Sequence, residues 1–315
     1  MLALVADIGG TKSQFAVVDE HRQLGHIAYF KNDLFGSFNQ VLKAYLASLS
    51  PVETIEAAVI AVAGPVDFHA QCELTNVNWR LSAHTLEKTF GFKHVQLVND
   101  LEATAWAMVP GKNQPKLLML RGQSIDFNQP VLIAGPGTGF GQIALSPQVN
   151  GYSIHATEGG HKTIAPFNAK MADLIHTHWQ QHNTPISWEN WFSGSGLCRF
   201  YEALFPGEKA PNNETLGAEA LKNPTSKAAE CMTLFTQVVY AEIGNLSLQY
   251  LSWGGVIIAG GIPPKIRPLF EAQENIVYIQ RKSEYVSRLE NIPVAMCEQT
   301  DAPLLGAANY FHEMM

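Results

Sequence analysis

The chain has 315 residues, 46% of them hydrophobic and only 16% charged, with a formal net charge of −7. Such length and apolar content suit a well-buried globular body with two lobes and exclude a disordered or fibrous chain. No block of Lys and Arg occurs, so the clustered positive charge of a nucleic-acid footprint is missing.

The opening Met1-Leu2-Ala3-Leu4 carries no basic segment, and Asp7 interrupts the apolar run at once, so a signal peptide is not expected. No apolar run approaches the ~18 residues of a membrane span, and a cytoplasmic location is expected. Cys72, Cys198, Cys231 and Cys297 lie far apart with no C-x-x-C, which argues against a disulfide framework or a cysteine zinc site.

Leu2 to Ala6 is a short apolar run ending at Asp7. Gly9, Gly10, Thr11 and Lys12 follow, then the apolar-rich Gln14 to Val18. The pattern predicts strand, tight turn, strand. Paired glycines admit φ > 0 and close approach of a ligand to the backbone. The turn reads either as an ordinary hairpin or as an anion-binding nest with Thr11 and Lys12 as added donors. Asp7, at the strand's carboxyl end, stands where a cation and a polyphosphate would meet.

Residues 27–31 read as a third strand, Ser37 to Leu49 as a helix and Thr54 to Val62 as a buried strand. Leu74 to Trp79 reads as a polar-aromatic loop, and Ser82 caps a short helix through Phe90. Val95 to Val98 is a strand ending at Asn99-Asp100, with a helix from Leu101 to Val109. This alternation predicts an open α/β sheet. Pro110 to Pro115 is the linker candidate and marks a lobe boundary.

Strands follow near Leu117–Leu120 and Pro130–Ala134, then a Gly135–Gly141 turn and an alternating run from Gln142 to Leu145. Thr157 to His161 is a further glycine turn, and Asn168 to His182 is helical. Ser187 to Gly196 reads as a loop feeding a helix over Leu197–Leu204. A long helix spans about 226–252, with a buried stripe of Leu234, Phe235, Val238, Val239, Ile243, Leu246 and Tyr250, and Gly254-Gly255 stops it. Val256 to Ala259 is a buried strand closed by Gly260-Gly261, and Ala302 to His312 is the final helix.

Glycine turns thus follow strands after Ala6, Ala134 and Ala259. Two contain Thr, which suggests loops converging on a phosphate-rich ligand; the third suits a nucleoside. A Walker A loop is absent. Gly139-x-Gly141-x-x-Ala144 has the letters of a dinucleotide fingerprint, but its strand-like tail fails the context. Asp100 reads as the N-cap of the helix from Leu101 or as a carboxylate within reach of a substrate hydroxyl. Glu158, His161 and Glu189 lie in glycine- and serine-rich loops, either as solvated polar groups or as hydrogen-bonding partners of a polyol. His178 and His182 have H-x-x-x-H spacing, yet Trp179 stands where a zinc motif needs Glu, and a helix C-terminus suits histidines for its dipole alone.

Taken together, Asp7-Ile-Gly-Gly-Thr11, Val98-Asn-Asp-Leu-Glu-Ala103, Gly135-Pro-Gly-Thr-Gly139, Glu158-Gly-Gly-His161, Ser193-Gly-Ser-Gly-Leu197 and Val256-Ile-Ile-Ala-Gly-Gly-Ile262 resemble the bacterial glucokinases of the hexokinase/actin-like ATPase superfamily, over nearly the whole chain. The resemblance implies an α/β, two-lobe, ribonuclease H-like fold with a cleft between a smaller α/β lobe (1–110 plus 301–315) and a larger α+β lobe (111–300). It implies ATP phosphates held by Ala6, Asp7, Ile8, Gly9, Gly10 and Thr11 and by Gly135, Gly137, Thr138 and Gly139. Asp7 would face Mg²⁺, and Gly260 and Gly261 would line the adenosine. Asp100 would be the general base on the 6-hydroxyl of glucose, and Asn99, Glu158, His161 and Glu189 would bind the sugar. A homodimer is also implied. A kinase for mannose or an N-acetylated hexosamine, or a non-catalytic sugar or nucleotide sensor, stands as the alternative. The cysteine-rich zinc motif of the related repressor–kinase (ROK) group is missing after His161, so a sugar-responsive repressor is not expected.

Overall fold

The computed structural model describes residues 2–49, 54–74, 77–111 and 113–314. Thr75 and Asn76 of the polar-aromatic loop and Lys112 of the linker candidate lie outside them. The chain divides into two compact units, residues 1–115 with 299–315, and residues 116–298.

In the first unit, strands β1 (Leu2–Ile8), β2 (Lys12–Val18), β3 (Leu24–Lys31) and β4 (Ile55–Val62) accompany a short hairpin of β5 (Gln71–Glu73) and β6 (Arg80–Ser82) and the strand β7 (His94–Asn99). The main sheet has the order β3-β2-β1-β4-β7, with β1, β4 and β7 parallel. Helices α1 (Phe38–Ala47), α2 (Ala83–Phe90) and α3 (Asp100–Met108) and the C-terminal helix Ala302–Met314 belong to this unit.

Side-chain alternation sorts the two faces. Leu4, Ala6 and Ile8 pack with Phe15, Phe38, Leu42 and Tyr45. Ala3, Val5, Ala57, Val59 and Ala61 pack with Ala103 of α3 and Leu304, Ala307 and Phe311 of the C-terminal helix. The second face is built from small residues, and the two helices over it approach closely. A Cβ on Gly306 would stand 1.6 Å from the Ala103 carbonyl oxygen. Asp7 follows Ala3 and Val5 by two-residue steps, so it projects toward this helical face.

The second unit holds β8 (Leu117–Arg121), β9 (Val131–Pro136), β10 (Phe140–Gln148), β11 (Gly151–Thr157), β12 (Gly255–Ile258) and β13 (Val294–Cys297) in the order β11-β10-β9-β12-β13-β8. Strands β9, β12 and β13 are parallel. Its main helices are α4 (Ala169–His182), α5 (Trp188–Phe192), α6 (Leu197–Leu204), α7 (Asn213–Lys222) and α8 (Lys227–Tyr250).

The structure corrects three local expectations. First, α8 has no single buried stripe: every residue from Val238 to Gly244 is buried, so it is a central helix. Second, Leu251, in the left-handed region at φ 50°, caps α8 in place of a glycine. Gly254 instead gives way to the Asp126 carbonyl, 2.2 Å from where its Cβ would lie. Third, α5 and α7 form where no helix is expected. A capping box between Ser187 and Asn190 starts α5, and the Asn212 side chain accepts the Thr215 amide to start α7.

Candidate active site

In the first unit the parallel strands finish in register, with Ile8 beside Val62 and Val62 beside Asn99. Ligand sites of open α/β sheets gather at such a carboxyl edge. Ala6 and Ile8 are buried there within β1. Asn99, not Asp100, caps α3: its Oδ1 accepts the amides of Leu101 at 2.9 Å and Glu102 at 3.4 Å. Its Nδ2 donates to the Gly64 carbonyl at 3.2 Å. The other amide hydrogen of Asn99 has no partner among the described residues. Asp100 becomes the first helical residue, with Oδ1 accepting the Leu101 amide at 2.8 Å.

Burial pushes the Asp100 carboxyl up to about 6, against the opposing pull of the Leu101 hydrogen bond. Burial, then the charges of Asp100 and Asp301, push Asp7 up to about 7. Asp301 is a member of this group that sequence reasoning missed. Its signal was an Asp just before Ala302-Pro303, the pattern of a helix start, and its carbonyl accepts the Leu305 amide at 3.1 Å.

Gly9 and Gly10 do not use the positive φ that glycine admits. The turn is held instead by the buried Asn32, another residue that sequence reasoning missed. Asn32 Nδ2 donates to Gly9 O at 2.8 Å, and its own amide donates to Thr11 O at 3.0 Å. Ser13 Oγ donates to Asn32 Oδ1 at 2.7 Å. The amides of Gly10 and Thr11 carry no hydrogen bond among the described residues, which leaves two adjacent donors on an accessible turn.

In the second unit Gly135 is a buried residue of β9, not of the turn. Its Cβ would stand 1.6 Å from Ala259 O, so glycine there serves strand contact. The turn proper is Gly137-Thr138-Gly139, with Thr138 exposed. Gly137 N donates to Gly139 O at 2.8 Å, and Gly194 N donates to Gly137 O at 2.7 Å. Ile262 N donates to Pro136 O at 3.3 Å, which brings the exposed Gly260-Gly261 loop alongside. Gly260 has φ +97°, and a Cβ there would lie 2.5 Å from Pro136 O. A Cβ on Gly261 would meet nothing within 4 Å.

Glu189 lies in α5, not in a loop. Its Oε1 accepts the Phe140 amide at 3.1 Å, and its Oε2 lies 3.9 Å from His161 Nε2. Glu158 Oε2 is also 3.9 Å from His161 Nε2, and both Glu158 and His161 are exposed. Gly139 and Gly160 leave room for the Glu189 carboxylate, since a Cβ on either would meet Oε1 at 2.3 and 2.9 Å. The glycines of this turn therefore accommodate a carboxylate as much as a ligand.

The two groups thus consist of Asp7, Gly10, Thr11, Asn99 and Asp100 in one unit, and of Gly137, Thr138, Gly139, Glu158, His161, Glu189, Gly260 and Gly261 in the other. His178 and His182 stand apart in α4, ring against ring at 4.5 Å. No group of three metal-ligating side chains occurs among the described residues.

A family model described as Glucokinase matches residues 4–314. A glucokinase from Saccharophagus degradans is 30% identical over 319 residues, covering 99% of this chain and 98% of the relative. One from Nostoc punctiforme is 31% identical over 335 residues, covering 98% of each. The crystal structure of a glucokinase from an Antarctic psychrotroph superposes with a TM-score of 0.84 at 28% identity, over 99% of this chain and 98% of that one. The fold is the actin-like ATPase fold of these sugar kinases, and the chain belongs to the glucokinase family.

Proposed function

We propose that the protein phosphorylates the 6-hydroxyl of glucose with ATP and that Asp100 is the general base. The observation that carries the assignment of the base is the placement of Asp100. It sits at the carboxyl edge of the parallel strands, with Oδ1 anchored by the Leu101 amide, and burial raises its carboxyl to about 6. A base of that strength is largely ionised at neutral pH yet still takes a proton readily. Unit one supplies the base, the remaining Asn99 amide hydrogen for the sugar, and the Gly10 and Thr11 amides for phosphate. Unit two supplies Glu158, His161 and Glu189 as hydrogen-bonding partners of sugar hydroxyls, the Thr138 turn for phosphate, and the open surface at Gly261 for the nucleoside.

The carboxylate of Asp7 has no hydrogen-bond or ion-pair partner among the described residues and is raised first by burial and then by the neighbouring carboxylates of Asp100 and Asp301. A hard cation relieves that repulsion, and one or two carboxylates together with phosphate oxygens are the usual donor set of Mg²⁺. Asp7 therefore fits Mg²⁺ brought in with ATP, whose contribution would be to neutralise charge on the phosphates. The same reading makes the protein a cytoplasmic homodimer serving glycolysis. The family resemblance supports this, and sedimentation velocity tests the dimer. No helix among the described residues is long and apolar enough to cross a membrane.

The test is ADP release from Mg·ATP with and without glucose, wild type beside Asp100→Asn. Glucose-dependent release that the variant loses is the expected result. Release that ignores glucose, or faster turnover of mannose or N-acetylglucosamine, overturns the substrate assignment. A variant with near-normal turnover overturns the base.

A further inference from the structure

A cavity of about 250 Å³ lies within the second unit, lined by Phe167, Trp188, Tyr278, Glu242, Arg281 and Lys282 among others. None of these residues has a role in the reading above. The cavity has a built wall: the Arg281 guanidinium sits 3.7 Å from the centre of the Tyr278 ring, and Tyr278 meets Phe167 edge-on at 5.4 Å. Gly244 of α8 lets this wall approach. A Cβ there would lie 2.2 Å from Ile279 O and 2.9 Å from Lys282 Cε.

The charges of the cavity do not balance. Glu242, 3% exposed, is already partnered by Lys162 and accepts from Asn245 Nδ2 at 2.9 Å. Arg281 and Lys282 make no ion pair within 4.0 Å among the described residues, although the Glu242 charge still acts on Lys282 against the effect of its burial. A half-buried ammonium and a guanidinium over an aromatic ring, with Glu242 as the one carboxylate lining the cavity and already taken by Lys162, are groups that bind oxyanions. The volume falls just below the ~300–1,000 Å³ of pockets for drug-sized ligands, so the occupant is compact.

The cavity is also tied to the groups assigned to sugar. Trp188 precedes Glu189 in α5 and packs on Phe140 at 5.0 Å, whose amide Glu189 accepts. Lys162, the partner of Glu242, donates to Gln142 Oε1 at 3.3 Å. Gln142 in turn fills the space against Gly159, at the start of the turn that carries His161: a Cβ on Gly159 would lie 2.2 Å from Gln142 Cδ.

We propose that this cavity is a second ligand site, for a compact organic oxyanion, either a phosphate monoester or a carboxylate. Its charge rests on Arg281 and Lys282 and its carbon body on Phe167, Trp188 and Tyr278. By packing on Trp188 and holding the Lys162–Glu242 pair, the bound anion orders Glu189 and the His161 turn and tightens glucose binding. The effect on glucose rests on the glucokinase reading; the anion site does not.

The test is titration calorimetry on the full chain with glycerol 3-phosphate and with malonate, glycerol being the uncharged control. Expected is saturable binding of one anion at millimolar concentration or below, none of glycerol, and a loss of at least about tenfold in Arg281→Ala/Lys282→Ala, as expected for a lost charged hydrogen bond. The exposed Arg281→Glu is the second variant, should the double one not fold. Absence of saturable anion binding, equal binding of glycerol, or undiminished binding in folded variants overturns the site. The two anions separate phosphate from carboxylate recognition. Glucose affinity measured with the site filled should rise by about fivefold or more; an unchanged glucose affinity overturns the coupling while leaving the anion site standing.

Discussion

Glu189 accepts the backbone amide of Phe140 at 3.1 Å, so one carboxylate fixes the start of β10 while its other oxygen faces His161. Truncation removes both functions. Glu189→Ala leaves the Phe140 amide without its partner, a cost of about 1–3 kcal/mol, and should weaken glucose binding by roughly ten- to a hundredfold on that scale. Glu189→Gln keeps an oxygen for the Phe140 amide and should fold normally, with a smaller loss of glucose affinity. Wild-type glucose affinity in both variants would separate Glu189 from the sugar site.

Asn99 and Asp100 divide structure from chemistry. Asn99→Ala removes the α3 cap and the tie to Gly64, and should cost about 1–2 kcal/mol of stability together with turnover. Asp100→Asn retains the acceptor for the Leu101 amide and should melt near wild type. It should bind glucose and lose about 10²–10⁴-fold in kcat. Denaturant unfolding beside steady-state kinetics on both variants checks the division; a large stability loss in Asp100→Asn would refute it.

The raised carboxyls give the pH dependence a sign. In the folded chain Asp7 and Asp100 hold their protons up to about 7 and 6, against the ordinary 3.8 of an aspartate. Between about pH 4 and 7 the unfolded chain therefore binds fewer protons than the folded one, and these two groups make stability fall as pH rises. Their contribution is full below the unfolded value and lost above the folded values. Melting temperatures without divalent cations should decline across that window, and more shallowly in Asp7→Asn and Asp100→Asn. The kcat/KM of the wild type should rise with pH through about 6 as Asp100 ionises. Slopes identical in all three proteins would show that these carboxyls titrate elsewhere.

Gly260 and Gly261 are neighbours with opposite constraints. Gly260→Ala places a Cβ 2.5 Å from Pro136 O at φ +97°, and should lower the melting temperature. Gly261→Ala meets nothing within 4 Å in the protein, so stability should hold while the KM for ATP rises. An unchanged KM in Gly261→Ala would remove this residue from the nucleoside surface.

Much of the edge that carries Asp7 was legible because it is written in short range. Apolar runs interrupted by Asp7 and by Asn99-Asp100 mark strands that end at a ligand-binding edge, and the structure ends β1 and β7 within a residue of those points. Ser82, Asn168 and Ser226 cap their helices through local side-chain hydrogen bonds; Ser82 was legible as a cap, and the other two as helix starts, for that reason. Asn32 was not legible: nothing in its own neighbourhood announces that it will reach Gly9 and Ser13, which are distant in sequence. Strand β11 was missed because its half-exposed pattern lacks apolar alternation, and α5 because it is a single capped turn.

By itself, the sequence determined the strand–turn–helix order, the glycine turns and the residues able to carry the chemistry, since these depend on local periodicity and side-chain type. Only the tertiary structure decided which atoms remain free to act. Asn99 competes with Asp100 for the same backbone amides and takes the cap, because its Oδ1 reaches Leu101 and Glu102 together. Gly135, Gly139 and Gly160 owe their lack of a side chain to Ala259, to Glu189 and to Phe140 with Glu189, which packing, not sequence, brings within 3 Å. Asp7 and Asp301 share a field because a helix from the end of the chain packs against α3 and β1, a contact that no local rule encodes.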